Sequence, residues 1–132
     1  MSYTGWRLTD SSRTALLERF PARFPDIIAH HITLSTKGDT APEHATIEVV
    51  GYAVDESGLE ALVVSVNGST LRRDAGRHYH ITWSIDRVAG FKPVDSNAVI
   101  KNGFTIFDES IPIETDAFWV DDHRVEHIRI ND

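Results

Sequence analysis

Two β-branched runs, Ala45 to Val54 and Leu59 to Val66, are separated only by Asp55-Glu56-Ser57-Gly58. Valine, isoleucine and threonine fit a pleated, half-buried surface, and the intervening residues form a turn. The pair predicts a β-hairpin. Much of the remaining chain reads in the same way. Ile27 to Ser35 and His78 to Ile85 are strand-like, and Phe104–Phe107, Ser110–Ile113, Phe118–Val120 and Val125–Ile130 read as short strands. Helices are few. The first element is expected to be a helix capped by Thr9 or Asp10, with Ala15, Leu16, Leu17 and Phe20 at helical spacing. Pro21 ends it, because the residue before a proline avoids the α region. A second, short helix is expected over Ser96 to Lys101, after Pro93 and before Asn102-Gly103. With no linker or low-complexity stretch, residues 1–132 read as a single α+β domain, mainly antiparallel.

Composition removes several classes of function. The chain has no cysteine, which rules out disulfides, thiolate catalysis and cysteine-based zinc sites. No apolar run approaches the roughly 18 residues that cross a bilayer, so no membrane partner is expected. The N-terminus lacks the basic and apolar regions of a signal peptide, and a cytoplasmic location is expected. The net charge of −7 argues against binding long duplex nucleic acid, which relies on clustered Lys and Arg. A small anion held locally is still allowed. Arg72, Arg73 and Arg77 do cluster, and are read as a solvated turn.

One short pattern occurs twice: His31-Ile32-Thr33 and His80-Ile81-Thr82. Strand side chains alternate faces, so each isoleucine can be buried while its histidine and threonine share the other face. The motifs lie 80 − 31 = 49 residues apart, and only the fold can join them. Joined, they would supply two imidazoles and two hydroxyls. One imidazole can take a proton from an attacking oxygen while the other gives one to the leaving oxygen, each transfer being worth about 10²–10⁴-fold. The hydroxyls can donate to phosphate oxygens as charge develops. Phosphodiester chemistry needs this set, and it calls for no metal and no cofactor.

Two other readings compete. His78 and His80 share a strand face, as two metal ligands of a cupin-like enzyme might, although the nearest following acid is Asp86. The chain could also be a non-catalytic module that binds a nucleotide. His30 and His31 are adjacent and would face opposite ways on a strand. His123 and His127, set among Asp121, Asp122, Arg124 and Glu126, read as surface residues, and His44 has no evident role.

The double motif resembles the 2H phosphoesterase superfamily, which is named for two His-x-Thr/Ser motifs. Tyr3-Thr4-Gly5, the helix, the loop with Phe20-Pro21 and Phe24-Pro25, His30 to Leu34, and Lys92 to Asn97 resemble a bacterial and phage branch of it. The resemblance covers roughly residues 3 to 100. It implies two pseudo-symmetric antiparallel lobes with few helices and a cleft between them. It implies metal-independent cleavage of 2′,3′-cyclic phosphates, 2′-5′ linkages or cyclic oligonucleotides, with a nucleotide or RNA end as substrate. His31 and His80 would be the acid–base pair, and Thr33 and Thr82 the phosphate-binding hydroxyls. Tyr3 either stacks on a nucleobase or packs at the sheet edge. Lys92, Ser96 and Asn97 are candidates for the cleft mouth, Ser96 alternatively capping the helix it begins. Trp83, facing away from Thr82, is read as core.

Overall fold

The computed structural model describes residues 2–72 and 76–129. The elements run β1 (Tyr3–Leu8), α1 (Asp10–Arg19), β2 (Asp26–Ile27), β3 (His31–Ser35), β4 (Ile47–Asp55), β5 (Leu59–Val66), β6 (His80–Ile85), a 3₁₀ turn (Pro93–Asp95), α2 (Ser96–Lys101), β7 (Thr105–Ile113), β8 (Thr115–Val120) and β9 (Glu126–Ile128). They build two sheets, in the orders β3-β1-β8-β9 and β2-β6-β5-β4-β7. Every strand pair is antiparallel. The α+β class expected from the sequence is therefore present, with two short helices.

The β4–β5 hairpin forms as its sequence requires, pairing Ile47 with Val66 and Asp55 with Leu59. Every residue of β5 is buried because both faces of its sheet are covered. On one face Leu62 and Val64 join Trp6, Ile32, Ile81 and Trp83. On the other, Leu59, Ala61 and Val63 pack against Val99 and Ile100 of α2. Thr9 caps α1, its hydroxyl accepting from the Ser12 N–H at 3.2 Å. Of the apolar face expected on α1, Leu16 is buried, Leu17 and Phe20 are partly covered and Ala15 is exposed. No helix among the described residues is long and apolar enough to cross a membrane.

Three strand expectations need correction. The first element is β1, not α1. Gly5 hid it, because glycine weakens a strand pattern. Here glycine is required: a Cβ at this position would lie 2.0 Å from the Ile32 carbonyl oxygen. The region Phe104 to Ile113 is one strand, held along the edge of β4 across a bulge near Val50. The stretch Ile27 to Ser35 is not one strand but two, in different sheets. Ile28 and Ala29 continue the pairing with β6 through bonds to the Trp83 and Thr82 carbonyls. Ala29 then turns with φ of 42°, and His31 begins β3 in the other sheet. An alanine in this left-handed region costs about 1–2 kcal/mol. The turn is buried, and its carbonyl accepts from Arg13 Nε at 3.0 Å.

Candidate active site

The crossing at Ala29 sets the two motifs side by side. His31 and Thr33 rise from β3, and His80 and Thr82 from β6. Ile32 and Ile81 are 0 % exposed and enter the same core cluster. Alternation leaves each His and Thr on the opposite side of its strand. All four line one cavity of about 200 Å³, together with Ile28, Thr36, Arg72, Arg77, Pro93, Val94 and Asn97.

His80 is held through one ring nitrogen and His31 through both. His80 Nδ1 lies 3.0 Å from the His78 carbonyl, which can only accept, so Nδ1 carries the hydrogen. His31 Nδ1 lies 2.9 Å from His30 Nδ1, and His31 Nε2 is 3.0 Å from Thr33 Oγ1. Burial pushes the His31 imidazole down to about 3, aided by the positive charge that His30 and His80 can carry. Burial also lowers His80. The His78 carbonyl opposes that shift, and the Arg72 and Arg77 guanidiniums reinforce it. Both rings are thus held neutral near pH 7.

Stability carries the same signature. An unfolded histidine titrates near 6.5, so below that pH the unfolded chain binds more protons than the folded one. Folding stability is expected to fall as pH drops from 6.5 towards 3, by up to about 1.4 kcal/mol per unit for His31 at the limiting slope. Urea midpoints of wild type and His31→Gln between pH 7 and 4.5 check this. The wild-type curve should fall more steeply, and parallel curves would contradict the assignment.

The other expected residues divide. Tyr3 packs within the site, its ring stacked on His31 at 4.8 Å and edge-on to Phe118 at 5.9 Å. Burial raises its hydroxyl, with Glu126 adding and Arg124 opposing. Ser96 is not a helix cap. It is fully buried, and its hydroxyl meets Thr82 Oγ1 at 2.8 Å, which orients Thr82 from behind. Asn97 lines the cavity, its side-chain amide donating to the Val94 carbonyl at 3.1 Å. Its Oδ1 is buried without a partner among the described residues. Lys92 is exposed and does not line the cavity; its backbone N–H is taken by Asp95. Trp83 is core, 0 % exposed, with its indole N–H on the Phe20 carbonyl at 2.7 Å.

Several readings of charged and histidine residues change. Arg72 is 5 % exposed and lines the cavity with Arg77, so Arg72 is not solvated as a turn residue would be, whereas Arg77 is exposed. Arg73 lies outside the described residues. The unevenness of the basic residues just before the second motif was the available signal. His30 precedes β3 instead of sitting on it, which lets its ring meet that of His31. His78 Nδ1 is 3.2 Å from Thr70 Oγ1, and its ring lies edge-on to Phe104 at 5.1 Å. Among the described residues no three His, Asp or Glu side chains gather as a metal would need. His123 is exposed, but His127 is partly covered, stacked on Trp119 at 4.3 Å with Nε2 2.9 Å from Asp121.

No protein-family model, curated protein or solved structure matches this chain. The chemistry of the site is therefore argued from its own residues.

Proposed function

We propose that the chain is a metal-independent phosphodiesterase of the 2H type. Its substrate would be a short nucleotide with a 2′,3′-cyclic, 2′-5′ or cyclic oligonucleotide phosphodiester. The observation that carries this reading is the shared cavity: two imidazoles, two threonine hydroxyls and two guanidiniums around a space of about 200 Å³. That space suits a phosphoryl group. Arg72 and Arg77 neutralise the non-bridging oxygens, and the Thr33 and Thr82 hydroxyls turn from His31 Nε2 and the Pro93 carbonyl to donate hydrogen bonds to them. One imidazole accepts the proton of the attacking hydroxyl or water while the other protonates the departing oxygen. An anion in the cavity also favours the imidazolium that the second role requires.

A neighbouring hollow of about 640 Å³ shares Arg77 and Asn97 with the cavity and adds His78, Lys101 and Phe104. A sugar or base attached to the phosphate fits there against the aromatic rings. The local cations, set against a net charge of −7, favour a short ligand over long RNA.

The test is a turnover panel run with EDTA throughout. It contains 2′,3′-cyclic nucleotides, 2′-5′ and 3′-5′ dinucleotides, and cyclic oligonucleotides. At least one member should be cleaved at the same rate with and without chelator. Cleavage that stops in EDTA and returns with a divalent ion would replace this reading with a metal-dependent one.

A further inference from the structure

Burial of the His31 imidazole makes its charged form hard to hold. A base that cannot keep the proton it takes is a weak base, unless the charge can move. Behind His31 stands a route for it. His31 Nδ1 is 2.9 Å from His30 Nδ1, and His30 Nε2 is 3.5 Å from Glu126 Oε2. Glu126 Oε1 in turn accepts from Arg7 Nη1 at 3.1 Å, which fixes the carboxylate in place. His30 and Glu126 are 37 % and 35 % exposed, so the far end of the row reaches solvent.

The hydrogens follow from the chemistry of each atom. An ionised carboxylate only accepts, so the His30 nitrogen facing Glu126 carries hydrogen. In a neutral His30 that leaves a lone pair on Nδ1. The hydrogen between the two facing Nδ1 atoms then belongs to His31. His31 Nε2 keeps its lone pair towards the cavity, with the Thr33 hydroxyl donating to it. The row therefore selects one tautomer of His31, the one that can act as a base.

We propose that His30 and Glu126 form a proton relay behind His31, making His31 the general base and His80 the general acid. This rests on the phosphodiesterase reading for the reaction, but not for the tautomer. The attacking O–H bond breaks, and its proton forms a bond to His31 Nε2. The proton on His31 Nδ1 passes to His30 Nδ1. The resulting His30 imidazolium faces Glu126 at the protein surface. His80 Nε2–H gives its proton to the leaving oxygen. Once the product leaves, His30 Nδ1 returns its proton to His31 Nδ1, His31 Nε2–H gives its proton to water in the cavity, and water reprotonates His80 Nε2, closing the cycle. His30 and Glu126 are positioning residues and touch no substrate. The row parallels a triad in which a carboxylate orients a catalytic imidazole, with a second imidazole inserted between them.

The charged and titratable groups facing His31 from its neighbours are Tyr3, Arg7, His30 and His80, with Arg72 and Arg77 across the cavity. All of them remain in Glu126→Gln, but Arg7 loses the Glu126 carboxylate there, so Arg7→Gln is run beside it as the control. Two readouts test it on the full chain. The first is the ¹⁵N–¹H correlation spectrum of the imidazoles, with no substrate present. His31 should be the Nδ1–H tautomer at pH 7 in wild type, and His30→Phe, which removes the acceptor, should shift it towards Nε2–H. The second is kinetic. Glu126→Gln should lower kcat about 10-fold or more with KM little changed, and should move the acidic limb of the pH–rate profile to lower pH. Glu126→Asp should restore part of the loss. A wild-type His31 in the Nε2–H form overturns the proposal, as does a Glu126→Gln profile superimposable on wild type. If no panel member is cleaved but the tautomers behave as stated, the relay stands and the phosphodiesterase reading fails.

Discussion

His80→Ala is expected to slow turnover by about 10²–10⁴-fold while leaving the fold intact. In the proposed reaction the imidazole is the proton donor to the leaving oxygen, and among the described residues lining the cavity only His31 could substitute for it. The arginines there do not release protons near neutrality. Stability should change little, because the ring makes one hydrogen bond, to the His78 carbonyl, and water can reach that oxygen once the side chain is gone. His31→Ala is expected to lose activity on the same scale. The double variant should be little slower than the worse single one, because the two groups act as a unit. The measurement is kcat on the best panel substrate, with thermal midpoints taken alongside. Substrates with a good leaving group should be spared in His80→Ala but not in His31→Ala. Equal losses on such substrates would reverse the two roles.

Glu60→Ala is expected to destabilise the fold by roughly 3–5 kcal/mol without touching the cavity. Glu60 sits on β5 and is 1 % exposed. Its Oε1 accepts from the Tyr52 hydroxyl at 2.7 Å, and its Oε2 accepts from the Arg23 backbone N–H at 2.8 Å and from the Ser84 hydroxyl. Tyr52 responds, its hydroxyl pushed up to about 12 by burial and by the bond to Glu60. Removing the carboxylate takes the acceptor from three donors, of which the Ser84 hydroxyl is fully buried and the other two partly so. Glu60→Gln keeps the volume and one acceptor and should cost less than half as much. Urea unfolding of the three proteins separates the cases. A Glu60→Ala midpoint within error of wild type would mean that the surrounding strands relax to admit solvent.

Much of the architecture was legible because local rules and the fold agree. Leu59–Val66 and Ser96–Lys101 have the bounds their sequences suggest, and the β4–β5 turn falls where Gly58 allows it. What escaped were places where a distant contact overrides the local pattern. β1 contains a glycine whose reason is the Ile32 carbonyl on another strand. Ile27 to Ser35 is apolar enough for one strand, and nothing local announces that Ala29 must turn. Within the site, the four motif residues were readable from alternation alone. Arg72 was not, since its burial depends on the cavity that the assembled sheets enclose. Glu126 and His30 were out of reach for another reason: their pairing spans sequence distances that only the assembled sheets close.

The link between the sheets also governs which changes in length the chain can accept. From the last bond to β6 at Ala29 to the first motif ring at His31 there are two peptide steps. One residue added or removed there would reverse the alternation of β3, turning Ile32 into the cavity and His31 into the core. The segment from Lys37 to Thr46 carries no such constraint on facing. Variation in loop length should therefore gather there. Chains that keep this chemistry should hold the spacing between Ile28 and Thr33 fixed, even where the residues themselves differ.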